Sequence, residues 1–481
     1  MKLRELLNGL TILSSSADLD ADIREVRYDS RAVEEGDLFV AITGAETDGH
    51  KYIPMAREKG AACVVCQTVP EDGTPYVQVV DSRRALAVIG ANRFDHPADE
   101  LTMIGVTGTS GKTTSTYLIK SILEQKAGAK VGLIGTIQNM IGDRVLHTER
   151  TTPESYELQK LLREMSDAGC SHVVMEASSH ALCLDRVYGI RYAVGVYTNL
   201  SRDHLDFHHT MEAYCDAKAI LFDHCDVGIY NADDPWHERL MQSAKCPRRF
   251  SYAVHGQADL MAKNVQLHAG SVDFDAEADT EWAHVHVGIP ALFTVYNTLD
   301  AMACCWNLGV PLEECADALA KNHGVKGRME IIPTPGRDYT ILNDYSHKPD
   351  ALENVLQSVK GFAKGRTVVL FGCGGDRDKT KRPVMGAIAA QLADFVIVTS
   401  DNPRTEKPEA IIADILEGMK DTATPYVTIP DRVEAIHYAM DHAQPGDVIV
   451  LAGKGHEDYQ EIDHKHYPMD ERVIVAEYLN R

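Results

Sequence analysis

The stretch Leu101-Thr-Met-Ile-Gly-Val-Thr-Gly-Thr-Ser-Gly-Lys-Thr-Thr114 decides the fold of this chain. Its apolar start, Met103 to Val106, predicts a buried strand, and apolar residues at helical spacing begin at Tyr117. A strand, a glycine turn, Lys-Thr and a helix form a phosphate-binding loop, in which backbone N–H groups, the helix N-terminus and the lysine contact phosphate oxygens. The strict pattern has a glycine where Val106 stands, so we interpret the stretch as a variant of that loop.

The alternative for this stretch is an ordinary glycine-rich turn between a strand and a helix. Lys112-Thr-Thr114 directly follows Gly111, which favours the phosphate-binding loop. At those positions a lysine meets the outer phosphates and a threonine hydroxyl can hold Mg²⁺. The stretch therefore predicts a nucleotide-binding domain.

Charge and cysteine content argue against several classes of protein. The chain has 481 residues, which leaves room for about three domains. Its net charge of −23 argues against nucleic acid as a partner, because polyanions repel. The charged N-terminus and the short apolar runs favour neither a signal peptide nor a membrane-spanning segment. Eleven cysteines scattered through apolar segments indicate reduced thiols. We expect a cytoplasmic monomer without membrane insertion.

Three domains of the α/β class are predicted. Residues 1–98 alternate short apolar runs with turns and predict a small N-terminal α/β domain. Residues 99–330 read as alternating strands and helices and predict a central parallel-sheet domain like that of P-loop ATPases. Residues 331–481 predict a C-terminal, Rossmann-like doubly wound domain. Cys63-Val-Val-Cys66 has metal or redox spacing, but strand alternation would turn its thiols to opposite faces, so we interpret both as core residues.

Polar residues follow the apolar strands of both larger domains. In the central domain, His172–Met175 ends at Glu176, and Ala193–Tyr197 ends at Thr198. Ligands of parallel α/β sheets bind outside the carboxyl ends of the strands, so these residues predict a site. An acid such as Glu176 is well placed there to bind the Mg²⁺ of a nucleotide. The alternative is that the loops are solvated. The polar stretches after the strands of the C-terminal domain are Gly372–Lys379, Ser400–Arg404 and Ala452–Glu457.

Several separated motifs together resemble one family, the ATP-dependent Mur ligases of bacterial cell-wall synthesis. The resemblance covers nearly the whole chain. It is closest to the members that add the third residue of the stem peptide. The motifs that carry it are Gly105–Thr114, Met175–Leu182, Thr198–Asp206, Tyr296–Leu299, Gly327–Glu330, Asn343–His347, Gly453–Glu457, Asp29–Arg31, Thr151–Pro153 and Asp401–Arg404.

The resemblance implies an amide ligase that uses ATP and Mg²⁺ and acts on UDP-N-acetylmuramoyl-L-alanyl-D-glutamate. ATP would phosphorylate the D-glutamate side-chain carboxylate, and an incoming amine would attack the acyl phosphate. The resemblance implies that residues 1–98 bind the UDP-sugar, residues 99–330 bind ATP, and residues 331–481 bind the amino acid. In the family's phosphate-binding loop, the first glycine also lies one residue earlier than in the strict pattern, as Gly105 does here.

Residues implied for ATP and Mg²⁺ come from three regions. The triphosphate contacts would be Gly108, Thr109, Ser110, Gly111, Lys112, Thr113 and Thr114, and further nucleotide contacts would be Asn297, Arg328 and Asp344. The Mg²⁺ residues would be Thr113, Glu176, His204 and Lys218. Lys112, Glu176, His204 and Lys218 would be catalytic. In the family, a lysine at the place of Lys218 is carbamylated; on sequence alone, Lys218 is a helix lysine with a solvated or snorkelling role.

Residues implied for the two other substrates lie in the N-terminal and C-terminal thirds and in the loops between. The UDP-sugar peptide would contact Tyr28, Ser30, Ala45, Glu46, Thr47, Thr151, Thr152, Ser178 and Arg186. The incoming amino acid would contact Arg377, Asp401, Asn402, Pro403, Arg404, Gly453 and Glu457. An arginine such as Arg404 grips a planar carboxylate with two parallel N–H bonds, so we predict meso-diaminopimelate as the amino acid. For Arg404, a surface salt bridge is the alternative.

Three other functions remain open at this point. The chain could add L-lysine instead of diaminopimelate. It could be a related amide ligase such as a folylpolyglutamate synthase. It could also be a regulatory or scaffold protein that hydrolyses ATP without forming an amide.

Overall fold

Residues 1–44, 47–322 and 324–480 are described by the computed structural model of the protein. Ala45 and Glu46, two of the expected UDP-sugar contacts, lie outside the described residues. The chain divides into two units, Met1–Phe250 and Ser251–Arg481, called the first and second units below. All eleven cysteines carry reduced thiols. No helix in the described part of the chain is long and apolar enough to cross a membrane.

The first unit begins with a five-stranded sheet. Its strands are β1 (Ile12–Ser15), β2 (Val26–Arg27), β3 (Leu38–Val40), β4 (Cys63–Cys66) and β5 (Tyr76–Val79). β1 pairs antiparallel with β5, and the other neighbours in the order β1-β5-β4-β3-β2 are parallel. Cys63 and Cys66 are buried in β4 and belong to two different apolar clusters. The predicted core role of both cysteines is confirmed.

The second sheet of the first unit carries the phosphate-binding loop. Its strands are β6 (Thr102–Thr107), β7 (Val131–Ile134), β8 (Asn139–Ile141), β9 (Arg144–Leu146), β10 (His172–Glu176), β11 (Tyr192–Tyr197) and β12 (Cys225–Asn231). Their order is β12-β11-β6-β10-β7-β8-β9; β12 to β7 are parallel, and β8 and β9 add an antiparallel edge. The strand predicted before the loop is therefore central, and β10 and β11 are its neighbours.

The helices of the first unit connect these strands. They are α1 (Leu3–Leu6), α2 (Ile53–Glu58), α3 (Ser82–Arg93), α4 (Lys112–Lys126), α5 (Ser155–Asp167), α6 (Ser179–Cys183), α7 (Leu205–His208), α8 (Met211–Ala219) and α9 (His237–Ser243). α4 begins at Lys112, directly after the loop, as the change to helical spacing predicts.

The second unit opens with antiparallel strands, which the prediction of alternating strands and helices for residues 99–330 did not anticipate. β13 (Arg248–Ala253) crosses the boundary between the units and pairs in parallel with β14 (Leu260–Leu267); β15 (Val272–Ala278) and β16 (Trp282–Val287) then continue antiparallel. Exposed and buried residues alternate strictly along β16, which is the pattern of a sheet with one solvated face. The helices α10 (Leu292–Asn307) and α11 (Leu312–Leu319) follow.

The last sheet has the doubly wound character expected for the C-terminal part. Its strands are β17 (Glu330–Ile332), β18 (Thr340–Asp344), β19 (Thr367–Phe371), β20 (Phe395–Val398), β21 (Tyr426–Thr428) and β22 (Val448–Ala452), in the order β17-β18-β22-β19-β20-β21, all parallel except β17. The remaining elements are α12 (Pro349–Phe362), α13 (Lys381–Leu392), α14 (Pro408–Glu417), α15 (Arg432–Asp441), the hairpin β23 (Tyr459–Ile462) and β24 (Lys465–Pro468), and α16 (Glu471–Leu479). The α/β class is confirmed; the boundaries at 98 and 330 stay predictions.

A buried ion pair ties the ends of two of these strands together. Arg432 Nε lies 2.8 Å from Glu471 Oε1, and both side chains are completely buried. The same guanidinium donates to the carbonyls of Ser400, after β20, and Ala452, at the end of β22. Arg432 therefore holds the strand ends from which the polar loops of the second unit depart.

We predict that Arg432→Met destabilises the second unit by about 3–5 kcal/mol, because it leaves the Glu471 carboxylate buried without its cation. Urea unfolding measures this change. Lys420→Met is the matched control, since Lys420 pairs with Glu417 in solvent and such pairs contribute about 0–1 kcal/mol. Equal unfolding midpoints for Arg432→Met and the control would contradict the prediction.

Candidate active site

The glycines of the phosphate-binding loop are required by its backbone and by its neighbours. Gly108 has φ +152° and Gly111 has φ +90°, conformations that L side chains rarely adopt. A Cβ on Gly108 would lie 1.8 Å from Thr198 Oγ1. The loop therefore passes directly against the residue that follows β11.

Hydrogen bonds hold the loop to this neighbouring segment. Thr198 Oγ1 donates to the Ser110 carbonyl at 2.6 Å, and the Ser110 N–H donates to Asn199 Oδ1 at 3.0 Å. The Thr109 N–H donates to the Asn199 carbonyl, and Thr109 Oγ1 accepts from the Ser201 N–H. The predicted meeting of these strand ends is confirmed. Asn199 is a loop-anchoring residue that the sequence analysis did not single out, although it lies within one of the quoted motifs.

Two lysines converge on one carbonyl of the loop. Lys112 Nζ donates to the carbonyls of Gly108 and Thr109, both at 2.9 Å, and Lys218 Nζ donates to the same Gly108 carbonyl at 2.8 Å. Lys218 is 1% exposed, and its ammonium lies 4.3 Å from the ring centroid of Tyr214. Lys218 is therefore a buried residue at the loop, and the interpretation as a solvated helix lysine is wrong. The turn of α8 that carries Lys218 packs inward, and a single helix position does not reveal that from sequence.

Glu176 is buried beside the start of α4. Its Oε1 accepts from Thr113 Oγ1 at 2.9 Å and from the Thr136 N–H at 2.9 Å, and its Oε2 accepts from Thr136 Oγ1 at 3.0 Å. The structure thus joins two of the predicted metal residues, Thr113 and Glu176. Thr136, which follows β7, is a partner that sequence reasoning missed. Thr114, on the first turn of α4, is buried.

The threonine pair at 151 and 152 reaches the same region. Thr136 and Thr151 share a hydrogen bond between their hydroxyls, and Thr152 Oγ1 donates to the Glu176 carbonyl at 2.7 Å. The Ser178 N–H donates to Thr152 Oγ1 at 3.1 Å. The structure therefore brings the two threonines and Ser178 together around the carboxyl end of β10.

Arg186 lies next to this group. Its Nη1 donates to the Thr152 carbonyl at 3.3 Å, and its Nε lies 3.3 Å from Glu154 Oε2. Burial lowers the pKa of the Arg186 guanidinium, and the Glu154 carboxylate opposes that shift. Glu154 Oε2 also lies 3.6 Å from Arg83 and 3.8 Å from Arg150, so one carboxylate serves three guanidiniums. Neither Glu154 nor Arg83 was predicted.

His204 belongs to a cluster of rings. It has φ +52°, its Nε2 lies 3.2 Å from Asp203 Oδ2, and its ring packs edge-on against His180 with centroids 4.8 Å apart. Its ring also lies 6.2 Å from Tyr214, the residue above which Lys218 sits. His204 is thus placed on the Lys218 side of the loop.

The predicted residues of the N-terminal sheet have separate contacts. Tyr28 donates its hydroxyl to Glu157 Oε2 at 2.9 Å, and burial raises the pKa of this hydroxyl. Ser30 is buried and contacts the Met55 sulfur, whereas Thr47 is exposed and shares a hydrogen bond with the Tyr52 hydroxyl.

In the second unit, Arg328 and Asp344 form a small cluster with Tyr345. The Arg328 guanidinium lies 4.8 Å from the Tyr345 ring centroid. Asp344 accepts from the Met329 N–H at 2.8 Å and from the Ser346 hydroxyl. Burial raises the pKa of the Asp344 carboxyl, while Arg328 acts in the opposite direction. Asn297, the third predicted nucleotide contact, is buried on α10.

The Asp401–Arg404 turn packs against the loop after β22. Asn402 Nδ2 donates to Glu457 Oε2 at 2.9 Å. A Cβ on Gly453, which has φ +114°, would lie 2.6 Å from Asp401 Oδ2. That oxygen is buried and has no hydrogen-bond partner among the described residues. An unpaired buried carboxylate oxygen beside a glycine is the feature expected of a site that receives a cationic ligand.

Arginines border this turn. Arg404 Nε lies 2.8 Å from Glu461 Oε2, and its Nη1 donates to the Gly375 carbonyl at 2.9 Å. Arg404 has φ +52° and follows Pro403, whose carbonyl accepts the Glu406 N–H. Arg377 is exposed and donates to the Asp376 carbonyl. The salt bridge of Arg404 is present but largely enclosed, because the side chains of Arg404 and Glu461 are 16% and 20% exposed.

The Mg²⁺ ligands implied for this chain have the right donor chemistry. The Thr113 hydroxyl and the Glu176 carboxylate are hard oxygen donors, and Mg²⁺ bound with a nucleotide takes only a few protein ligands. Within residues 1–44, 47–322 and 324–480, no three His, Cys, Asp or Glu side chains form a group that could hold a metal ion by themselves.

Comparison with known proteins covers the whole chain. Residues 106–305 match the Mur ligase middle domain, residues 327–455 the Mur ligase glutamate ligase domain, and residues 22–94 the catalytic domain of the Mur ligase family. The UDP-N-acetylmuramoyl-L-alanyl-D-glutamate–2,6-diaminopimelate ligase 1 of Clostridium acetobutylicum is 47% identical, over 100% of this chain and 99% of the relative.

Solved structures give the same result. The structure of a UDP-N-acetylmuramoyl-L-alanyl-D-glutamate–2,6-diaminopimelate ligase superposes with a TM-score of 0.73 at 32% identity, over 100% of this chain and 99% of that one. A folylpolyglutamate synthase of Mycobacterium tuberculosis, in complex with ADP and AMPPCP, has a TM-score of 0.63 over 77% of this chain and 92% of its own, but at 15% identity it shares the fold alone. The chain therefore belongs to the Mur ligase family.

Proposed function

We propose that the protein is the ligase that joins meso-2,6-diaminopimelate to the D-glutamate of UDP-N-acetylmuramoyl-L-alanyl-D-glutamate in peptidoglycan precursor synthesis. Members of the family are ATP-dependent ligases. The observation that carries the proposal is the Asp401–Arg404 turn of the second unit, which holds an acidic and a basic side chain. There, the unpaired Asp401 oxygen lies beside Gly453, and Arg404 follows in the same turn. The names of the relatives agree with this amino acid and this UDP-sugar peptide.

The first unit would activate the carboxylate. A carboxylate is a poor acylating agent at neutral pH, so transfer of the ATP γ-phosphate to the D-glutamate side chain supplies a good leaving group. This transfer depends on positioning and on fixed cations. Lys112, which contacts its own loop carbonyls, would turn to the outer phosphates of ATP. Mg²⁺, when bound by Thr113 and Glu176, would neutralise charge on the phosphate oxygens.

The UDP-sugar peptide would contact the residues around the end of β10. Thr151, Thr152 and Ser178 offer hydroxyl groups, and Arg186 offers a partly buried cation for an anionic group of the substrate. Lys218 contacts the Gly108 carbonyl of the phosphate-binding loop, and the rings of His204 and Tyr214 lie beside it. We assign His204 and Lys218 to the Mg²⁺ site, with Lys218 as a carbamate.

The second unit would bind the incoming amino acid. Its far ammonium would meet Asp401 and Glu457, and its far carboxylate would meet the Arg404 guanidinium, with Arg377 as a second candidate cation. L-Lysine has the far ammonium but lacks the far carboxylate. A site in which Arg404 binds the far carboxylate therefore favours diaminopimelate over lysine. Asn297, Arg328 and Asp344 are proposed to contact the nucleotide.

A phosphate-release assay with UDP-N-acetylmuramoyl-L-alanyl-D-glutamate tests this function. We expect release that requires both this substrate and meso-diaminopimelate. Preference for L-lysine would identify the lysine-adding activity, and activity only with a pteroylglutamate and L-glutamate would identify a folylpolyglutamate synthase. Release that no amine and no UDP-sugar affects would identify a protein that hydrolyses ATP without ligation.

We predict that Lys112→Ala lowers the rate of amide formation by roughly 10²–10³-fold, because it removes a preorganised cation from the transferring phosphate. The rate is measured at saturating ATP. The glycines that shape the loop remain, so the melting temperature should stay close to that of the wild type. Near-normal amide formation by Lys112→Ala would refute the assignment of the loop.

We predict that Lys218 carries a carbamate in the active enzyme. A carbamate keeps one N–H on Nζ, which can still donate to the Gly108 carbonyl, and adds an anion suited to Mg²⁺. Protein equilibrated with ¹³C-labelled bicarbonate should show a carbamate carbon resonance. Lys218→Met should lack this resonance; a signal of equal strength in the variant, or none in active wild type, would contradict the prediction.

We predict that Arg404→Ala raises KM for diaminopimelate and leaves KM for ATP unchanged. Losing a charge-assisted pair to a desolvated ligand costs about 2–5 kcal/mol. Arg191→Ala is a matched control, because the Arg191 side chain is 80% exposed and pairs with Asp226 on the surface. If both variants bind diaminopimelate as the wild type does, Arg404 serves only its salt bridge to Glu461.

A further inference from the structure

Lys454 is a buried cation in the amine site that the proposed function does not use. It lies between Gly453 and Gly455, directly after β22, and it is completely buried. Its Nζ donates to Asn402 Oδ1 at 2.8 Å and to Glu457 Oε2 at 2.7 Å. A buried ammonium is costly unless it is paired and hydrogen-bonded, so these two contacts define its role.

These contacts close a ring of three side chains. Asn402 Nδ2 donates to the same Glu457 oxygen that Lys454 contacts, and Asn402 Oδ1 also accepts the Glu461 N–H at 2.9 Å. The carbonyl side of the Asn402 amide is therefore fixed by two donors, which fixes its NH₂ group towards Glu457. The Tyr459 ring centroid lies 5.1 Å from Lys454 Nζ and covers the ammonium. Lys454 thus determines the orientation of both Asn402 and Glu457.

The hydrogen bonds among Lys454, Asn402 and Glu457 also determine which carboxylate oxygens remain for a ligand. Glu457 Oε2 already accepts from two donors, whereas Asp401 Oδ2 has no partner within the described chain. Lys454 balances one of these two carboxylate charges. The other is left to balance the far ammonium of an amino-acid substrate.

We propose that Lys454 is a positioning residue of the amine site, whose buried ammonium holds Glu457 and Asn402 so that Asp401 Oδ2 and the second Glu457 oxygen receive the far ammonium of the substrate. This inference rests on the proposed function and adds a residue to it. Lys454 has no exposed surface, so it acts on the substrate through Asn402 and Glu457 rather than by contact.

The test uses full-length protein with Lys454→Met and Lys454→Gln. Met keeps the apolar stem of the side chain, whereas Gln is neutral but keeps N–H donors for hydrogen bonds. Removing Lys454 frees Glu457 to turn away. We expect KM for meso-diaminopimelate to rise roughly tenfold in Lys454→Met, and less in Lys454→Gln, as for other directly coupled residues. We expect kcat to stay within a fewfold of the wild type and the KM values for ATP and the UDP-sugar peptide to stay unchanged.

Lys465→Met is the matched control, because Lys465 is exposed on β24 of the hairpin that begins with Tyr459. An unchanged or lower KM for the amine in folded Lys454→Met would overturn the inference, and so would a parallel rise of all three KM values. Failure of both variants to fold would also overturn the inference, since Lys454 would then be required for folding rather than for positioning Asn402 and Glu457. The wild-type enzyme is assayed before any variant. If it is inactive with meso-diaminopimelate, that result contradicts the proposed function rather than the role of Lys454.

Discussion

The parallel pairing of β6 with β10 on one side and β11 on the other is the constraint on which the first unit depends. Val106 is in register with Glu176, and Thr107 is in register with Tyr197. The three chain segments that leave these strands therefore start at the same level of the sheet. The contact between Glu176 and Thr113 depends on this alignment, because a shift of one residue would turn Glu176 to the opposite face of the sheet.

This alignment explains why much of the site could be predicted from sequence. An apolar run that ends in a polar residue identifies a strand and its carboxyl end, and the rule for parallel sheets brings such ends together. Glu176 was found in this way, and its contact with Thr113 follows. In the second unit, the same reasoning identified the turn at Asp401 and the loop at Gly453, which do pack against each other.

Side-chain partners from other segments could not be predicted in this way. The burial of Lys218 depends on which turn of α8 faces the sheet. The residues next to Lys218 in the sequence resemble those around any helix lysine. Thr136 and Lys454 contact predicted residues, but strand periodicity carries no information about such pairs. The antiparallel β14–β16 segment was also missed, although the alternation in β16 was visible in the printed sequence. For this segment, the predicted repetition of strands and helices was given more weight than the alternation of polar and apolar residues.

The unpaired oxygen of Asp401 has a thermodynamic consequence for the free protein. A buried acceptor without a partner costs on the order of 1–3 kcal/mol, and that cost is carried by the folded state whenever the site holds no ligand. Substitutions that filled or neutralised this position would therefore make the second unit more stable and, under the proposed function, less able to bind the amino acid. Under the proposed function, selection for stability and selection for ligand binding would act in opposite directions on this one carboxylate, so the native sequence would lie away from its own stability maximum here.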